Sequence, residues 1–131
     1  MNNDFVQRYN SNTPWEPIAG YCRALRVGNH IYVSGTTATD ERGGIIGIGN
    51  HKAQAEQSLK NIQRAIEALG GTLADVVRTR IYIVDASKST EVMQVHGEFF
   101  RSILPTTVIV GVSALVIKEM LVEIEAEAVL R

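Results

Sequence analysis

The last eleven residues of the chain, LVEIEAEAVLR, alternate acidic and apolar side chains. Glutamates occupy positions 123, 125 and 127, and apolar residues separate them. Because successive side chains of a β-strand point to opposite faces, this spacing places three carboxylates on one face and an apolar stripe on the other. The pattern therefore predicts a strand with one buried face. It leaves open whether the carboxylates do chemistry or only line a surface.

A second segment, VVRTRIYIV at residues 76–84, has the same alternation. Its two arginines and Tyr82 share one face. If the two strands are neighbours, arginines and glutamates pair across the sheet, and each pair contributes roughly 0.2–1 kcal/mol. We therefore interpret Glu125 and Glu127 as structural partners of these arginines, whereas Glu123, at the start of its strand, calls for a separate explanation.

Two amphipathic helices and a hairpin account for most of the remaining chain. In YCRALRVGNHIYVSGTT, a Gly-Asn pair at 28–29 separates two β-rich runs and predicts a two-residue hairpin turn. Asn50 is suited to cap the first helix, and the glycines at 70–71 end it. The second helix is predicted to begin near Ser87 and to end at Pro105. The apolar stripes of the two helices are Leu59, Ile62, Ile66 and Leu69, followed by Val92, Val95, Phe99 and Ile103.

The resulting order is β-β-α-β-α-β-β, with the last strands at 106–112 and 120–130. Two one-sided helices on one mostly antiparallel or mixed sheet make the fold class α+β, a two-layer sandwich. A chain of 131 residues is expected to form one domain, residues 1–131. Residues 1–18 are polar, carry two prolines and are predicted to form an N-terminal arm with at most one short strand.

The segment TTVIVGV, residues 106–112, is apolar or β-branched on both faces. A strand that is apolar on both sides must be covered on both sides. Two helices cover only one face of the sheet, so a single chain would expose a large apolar patch on the other. We therefore expect a homo-oligomer in which sheets of different copies meet.

Charge and rare residue types restrict the function. The net charge of −1 and the pI of about 6.3 provide no basic surface for nucleic acid or for a membrane. A single cysteine, Cys22, excludes an internal disulfide framework and fits a reducing cytosol, so a cytoplasmic location is expected. The three histidines lack the paired spacing of a metal site. The glycine-rich GGIIGIGN lacks the ending of a phosphate-binding loop, which favours a plain flexible loop.

Four stretches together resemble the Rid family, the reactive intermediate deaminases, also called the YjgF family. They are AGYCRALRVGNHIYVSG, QAEQSLKNIQRAIEALGGTLADVVRTRIYIVD, EFFRSILP and EMLVEIEAEAV, in matching order and spacing. The resemblance implies a fold similar to that of the small chorismate mutases and a homotrimer with small-molecule clefts between subunits. Deaminating members hydrolyse enamines and imines, such as 2-aminoacrylate, and use neither metal nor organic cofactor.

Carried over by position, the resemblance implies a set of cleft residues. The tyrosine of the family's Gly-Pro-Tyr motif falls at Tyr21, and the cleft glutamate falls at Glu123; these two would be catalytic. The decisive arginine, two residues after the helix-ending proline, falls at Thr107. The other ligand-binding positions are Ser34, Gly35, Met93 in place of an asparagine, and Ile109 in place of a cysteine.

The threonine at position 107 changes the chemistry that the resemblance implies. A carboxylate bound without an arginine loses a bidentate, charge-assisted hydrogen bond, and a hydroxyl offers only one neutral donor. We therefore expect a less cationic cleft and not an ordinary 2-aminoacrylate deaminase. Arg23, two residues from Tyr21 and on the same strand face, is a candidate substitute cation, and the alternative is a surface or interface ion pair.

Three functions stay open at this point. The first is an enzyme, a deaminase-like hydrolase acting on the C–N bond of an imine or enamine. The second is a non-catalytic homotrimer that binds a small ligand or acts as a chaperone-like protein. The third and weakest is an endoribonuclease or translation inhibitor, a label that some relatives carry, because the charge balance provides no basic stripe for RNA.

Overall fold

Six strands, three α-helices and two short 3₁₀-helices form the regular structure of residues 5–131, the part of the chain that this computed structural model describes. The strands are β1 (Val6–Tyr9), β2 (Ala24–Val27), β3 (His30–Thr36), β4 (Val76–Val84), β5 (Thr106–Val112) and β6 (Val122–Val129), and the helices are α1 (Trp15–Ala19), α2 (His51–Ala68) and α3 (Ser89–Phe100). The strands form one sheet in the order β1-β2-β3-β6-β4-β5, in which β4 and β5 are parallel and the other pairs antiparallel. The predicted α+β class with a mixed sheet is confirmed.

The N-terminal segment contributes one short strand to the sheet. Strand β1 pairs antiparallel with β2, with Val6 opposite Val27. The short helix α1, which the sequence did not predict, follows Pro14 and ends at Gly20, whose φ of 76° suits glycine. The predicted order β-β-α-β-α-β-β therefore gains one strand and one short helix at its start. Residues 1–4 of the predicted arm lie outside the described residues.

Helix α2 has the predicted cap, stripe and end. The Asn50 side chain accepts a hydrogen bond from the Ala53 N–H at 2.9 Å, and all four stripe residues are buried. Gln54 is also fully buried, and its side chain connects two loops to the helix. Its amide nitrogen donates to the carbonyls of Gly47 and Glu119, and its oxygen accepts from the Leu121 N–H.

Helix α3 is shorter than predicted. It begins at Ser89, after a turn of 3₁₀-helix at Ala86–Lys88, and ends at Phe100 rather than at Pro105. Phe100 is buried where Phe99 was expected, and Ile103 lies beyond the helix. The chain leaves the helix early through Leu104, a non-glycine residue at φ 57°.

The predicted pairing of β4 with β6 is confirmed. Arg80 lies opposite Glu125 in the register, and its guanidinium is 3.1 Å from Glu125 Oε1 and 3.3 Å from Glu127 Oε1. The Tyr82 hydroxyl donates to Glu125 Oε1 at 3.2 Å. These groups share the sheet face that points away from the helices, while residues 122, 124, 126 and 128 of β6 belong to the core. Two of the three alternating glutamates therefore have structural partners.

Strand β5 forms one edge of the sheet and is largely exposed in the single chain. Val108 is 47% exposed and Val110 40% exposed, although both belong to the apolar run that was expected to be covered. None of the helices in residues 5–131 combines the length and the hydropathy that crossing a bilayer requires.

Candidate functional site

A cavity of about 810 Å³ opens at the end of β3, where the sheet meets the N-terminal segment. Its walls come from residues 9–15, the β3 end with the following loop, α2, and the start of β6. Four of the predicted site residues line it: Tyr21, Arg23, Gly35 and Glu123. We call it the Glu123 cavity. Its volume falls in the range of roughly 300–1,000 Å³ that is typical of small-molecule sites.

Glu123 lies against Gly35, and this contact depends on the absence of a side chain at position 35. The register between β3 and β6 shifts between Val33 and Thr36, which removes Ser34 and Gly35 from the regular ladder. A Cβ on Gly35 would lie 2.8 Å from Glu123 Oε2 and 3.0 Å from its Cδ. Real Cβ contacts are essentially never this short, so a larger residue at position 35 would displace the carboxyl group.

The surroundings of the Glu123 carboxyl shift its pKa. Burial raises its pKa above the ordinary value; the charge of Arg23 lowers the pKa and that of Glu125 raises it, and the net effect is an increase. A raised pKa brings a carboxyl closer to the proton affinity that general acid–base catalysis requires. Glu125 and Glu127, by contrast, do not line the cavity.

Arg23 also lines the cavity, but its guanidinium is bound to the protein on every side. The residue is 6% exposed, and the guanidinium carbon lies 5.5 Å from the centre of the Tyr21 ring. A guanidinium has five N–H donors. Five acceptors surround them: Ser11 Oγ at 3.3 Å, the Gly35 carbonyl, Thr36 Oγ1 at 3.4 Å, the Tyr21 hydroxyl at 3.2 Å and Glu16 Oε2 at 3.5 Å.

Glu16, on the short helix α1, neutralises Arg23. It is 3% exposed and accepts hydrogen bonds from the N–H and hydroxyl groups of both Ser11 and Thr13. Burial raises the pKa of Glu16, but these hydrogen bonds and the charge of Arg23 outweigh burial, so the pKa is lowered overall. Of the two interpretations of Arg23, the ion pair is therefore present, as a buried pair within the chain.

Tyr21 and Ser34 are placed differently from each other. The Tyr21 hydroxyl accepts a hydrogen bond from Arg23, so its own proton remains available to the cavity. Ser34 does not line the Glu123 cavity. Its hydroxyl donates to the Cys22 carbonyl at 2.8 Å, and it lies in a second, shallower depression that Tyr21 also borders.

The remaining predicted positions, Met93, Thr107 and Ile109, lie outside the Glu123 cavity. Thr107 is on β5 in register with the buried Thr79, which donates to the Thr107 hydroxyl at 2.7 Å. That contact places Thr107 on the helix side of the sheet, while Glu123 is on the other side and two strands away. Met93 and Ile109 pack against the core. Within one chain, these residues cannot share a site with Glu123.

Two of the three histidines, His51 and His96, have hydrogen-bond partners in the fold. His96 is buried and its Nε2 lies 2.9 Å from the Thr79 hydroxyl; burial lowers the pKa of His96, which favours the neutral ring. His51 Nε2 lies 2.6 Å from the Val84 carbonyl. In residues 5–131, no group of three His, Cys, Asp or Glu side chains is arranged to hold a metal ion.

Several residues of the cavity wall were not predicted from the sequence. Glu16, which is not in the wall itself but pairs with Arg23 behind it, had one local signal, the Thr13-x-x-Glu16 spacing that resembles a helix capping box. Asn61 and Arg64 lie on α2 outside its apolar stripe and therefore resembled an ordinary solvated helix face. Their position at the cavity follows from the loop at Thr37–Thr39, which the Asn61 side chain holds through two hydrogen bonds of 3.1 and 3.0 Å.

A six-stranded mixed sheet with two main helices and a cavity at the β3 end defines a small α+β protein with a ligand-sized site. The family model described as Endoribonuclease L-PSP matches residues 11–130. The chain therefore belongs to this family, also known as YjgF, RutC or Rid, and the resemblance noted in the sequence is confirmed.

Individual relatives agree with this assignment. A RutC family protein of Pyrococcus horikoshii is 36% identical over 120 residues, 92% of this chain and 94% of the relative. A 2-iminobutanoate/2-iminopropanoate deaminase of Dermatophagoides farinae is 34% identical over 115 residues, 88% of this chain and 89% of the relative. The crystal structure of a YjgF/YER057c/UK114 family member from Mycobacterium tuberculosis superposes with a TM-score of 0.87 at 41% identity, covering 95% of this chain and 99% of that one.

Proposed function

We propose that the Glu123 cavity binds a small imine or enamine and hydrolyses it to a carbonyl compound and ammonia. The observation that carries this proposal is the Glu123 carboxyl, whose pKa is raised by burial and which lines a cavity of about 810 Å³ together with Tyr21. The printed name of the relative from Dermatophagoides farinae, an iminobutanoate and iminopropanoate deaminase, supports the same class of reaction.

In the proposed reaction Glu123 acts as acid and then as base. The protonated carboxyl donates its proton to the imine nitrogen while water attacks the carbon, and the carboxylate then takes a proton from the added water. This leaves a neutral carbinolamine and a protonated Glu123. A second proton transfer to nitrogen breaks the C–N bond, the hydroxyl proton returns to Glu123 as the carbonyl forms, and ammonia leaves. Tyr21 donates its hydroxyl proton to the substrate as a positioning hydrogen bond.

We further propose that the functional unit is a homotrimer whose clefts join two groups of residues. Thr107, Met93 and Ile109 lie on the helix side of the sheet edge, and Glu123 lies on the opposite side. Only a neighbouring copy could bring the first group to the Glu123 cavity. The exposed valines of β5 support an interface at this edge.

The proposed substrate is not a short 2-imino acid. Thr107 provides a neutral hydroxyl where the family resemblance expects an arginine, and the donors of Arg23 are occupied by protein acceptors. A carboxylate adjacent to the imine carbon would therefore lack a charge-assisted partner near Glu123.

The test is an assay of imine hydrolysis. 2-Iminopropionate and larger imines are generated in situ, and release of ammonia and carbonyl product is followed with and without the protein. We expect accelerated release from larger imines, and little acceleration with 2-iminopropionate. If 2-iminopropionate is the better substrate, the importance given to Thr107 is wrong.

Glu123→Gln is the variant that tests the catalytic residue. It retains the size of the side chain and removes the carboxyl group that acts as acid and base, so turnover should fall by about 100-fold or more while the proposed oligomer remains intact. Sedimentation measures the assembly state beside each assay. Dissociation of the variant would assign Glu123 to structure instead.

A non-catalytic ligand-binding protein is the second candidate function. The occupied donors of Arg23 favour it, because a pocket whose buried cation is neutralised by Glu16 has little to polarise a substrate. No release of ammonia from any imine, together with saturable binding of a small molecule, would support this candidate. The net charge of −1 argues against the endoribonuclease function named in the family description.

A further inference from the structure

The Glu123 cavity contains a second arginine that the catalytic proposal does not use. Arg64 is on α2, is exposed, and lines the cavity together with Asn61. Within residues 5–131, its guanidinium forms no hydrogen bond or ion pair, in contrast to the five acceptors around Arg23. Of the two cations in the cavity wall, Arg64 is therefore the one whose donors are available to a ligand.

The backbone that carries Arg64 is held firmly at the cavity. Asn61 precedes it by three residues, so the two side chains lie on the same face of α2. The Asn61 amide donates to the carbonyls of Thr37 and Thr39, and its oxygen accepts from Gln57 at 2.9 Å. These hydrogen bonds fix the position of this helix turn relative to the loop that follows β3.

The acidic groups of the wall limit what Arg64 can bind. Asp40 is used by its own loop, because its Oδ1 accepts from the N–H groups of Arg42 at 2.8 Å and Gly44 at 2.9 Å. Glu41 is exposed and also lines the cavity. A ligand with several negative charges would meet these carboxylates, whereas a single carboxylate can pair with Arg64 alone.

We propose that Arg64 binds the carboxylate of a mono-anionic ligand whose imine or carbonyl group lies at Glu123. This inference rests on the proposed function. It defines the substrate class as imines of oxo acids in which several bonds separate the carboxylate from the reacting carbon. An arginine fork binds a carboxylate through two parallel hydrogen bonds, which a surface lysine would not reproduce. The volume of about 810 Å³ accommodates such a ligand and is large for a three-carbon acid.

Binding of stable oxo acids tests this inference without requiring turnover. The probes are pyruvate, in which the carbonyl is adjacent to the carboxylate, and 4-oxopentanoate and 6-oxoheptanoate, in which it is remote. Calorimetric titration of the wild-type protein should show tighter binding of the two longer acids. Arg64→Gln should weaken their binding by about tenfold or more, since one charge-assisted pair is lost.

The matched control is Lys60→Gln. It removes one positive charge from the same helix, but Lys60 is paired with Glu56 at 3.2 Å and lies outside the cavity wall. Affinity in this variant should change by less than about twofold, as expected for a screened surface charge. Equal effects of the two substitutions would show a general electrostatic influence and overturn the role of Arg64.

The two proposals fail in different ways. Binding of 6-oxoheptanoate that depends on Arg64, with no hydrolysis of any imine, would retain this inference and refute the enzyme. Imine hydrolysis that is unchanged in Arg64→Gln, with wild-type affinity for all three oxo acids, would retain the enzyme and refute the inference.

Discussion

The buried pair between Glu16 and Arg23 allows a quantitative prediction of stability. The side chains are 3% and 7% exposed, and Glu16 accepts hydrogen bonds from Ser11 and Thr13 in addition to the charge of Arg23. Glu16→Gln keeps the shape of the side chain but leaves the buried Arg23 guanidinium without its counter-charge. It also turns an NH₂ group towards the donors of Ser11 and Thr13. Removing one partner of a buried pair costs about 3–5 kcal/mol, and the retained amide oxygen favours the lower end.

This change in free energy translates into a measurable melting temperature. Unfolding entropy of about 2.1 cal/mol/K per residue gives about 0.28 kcal/mol/K for 131 residues, so 3 kcal/mol corresponds to about 11 °C. Glu56→Gln is the matched control, because it breaks the exposed pair with Lys60, whose side chains are 47% and 53% exposed. Such a pair contributes about 0.3–0.5 kcal/mol, or less than 2 °C.

Calorimetry compares the wild type with both variants at one protein concentration, since the melting temperature of any assembly depends on concentration. Melting of Glu16→Gln within about 2 °C of Glu56→Gln would refute the reasoning. A double-mutant cycle with Arg23→Met then isolates the coupling between the two charges, which should exceed about 1 kcal/mol.

The same pair predicts a pH dependence with a definite sign. The pKa of Glu16 in the folded protein is lowered from 4.5, so its contribution is complete above pH 4.5 and is lost as pH falls through the folded value. The stability difference between wild type and Glu16→Gln should therefore be constant from pH 5 to 7 and shrink below pH 4.5. His96 titrates in both proteins and cancels in the difference. A gap that widens on acidification would contradict the assigned direction.

Three further changes have distinct expected results. Gly35→Ala should lower imine turnover by about 10- to 100-fold with a normal circular dichroism spectrum, because its Cβ displaces the Glu123 carboxyl; full activity would show that the carboxyl adapts. Gly97→Ala, within α3, should raise the free energy of unfolding by about 0.5–1 kcal/mol in urea titrations, because alanine favours the helix more than glycine does. A loss of stability would reveal a contact at Gly97 that the single chain lacks. Burial raises the pKa of Tyr82, and the negative charge of Glu125 raises it further. Glu125→Gln should therefore lower the pKa of Tyr82, measured by NMR of its ring carbons. An unchanged titration would exclude the effect of the Glu125 charge.

The elements that could be predicted from the sequence are those whose signal is periodic and local. The stripe of α2 and the alternation of β6 each repeat several times, so single exceptions do not change the pattern. The Arg80–Glu125 pair followed once the strands were taken as neighbours. The end of α3 was misplaced because Pro105 was assumed to terminate the helix, whereas the chain turns away after Phe100 through the left-handed Leu104.

The cavity could be predicted only in part, because its shape depends on tertiary contacts that no local sequence pattern shows. Glu16 and Arg23 are seven residues apart in sequence, and nothing in their local patterns indicates that both are buried. The resemblance placed Thr107 and Glu123 in one cleft, but only the sheet register reveals that they lie on opposite sides of the sheet in a single chain.

The location of positive charge decides which substrates the cavity can select. Arg23 is neutralised by Glu16 and has no donor left, so it contributes shape and rigidity rather than affinity for anions. Arg64 is therefore the available cation of the wall in residues 5–131. The threonine at position 107 therefore does not imply a cavity indifferent to anions. It implies one in which the anion is recognised at α2, at a distance from the carbon that reacts, so that selectivity depends on ligand length as well as on charge.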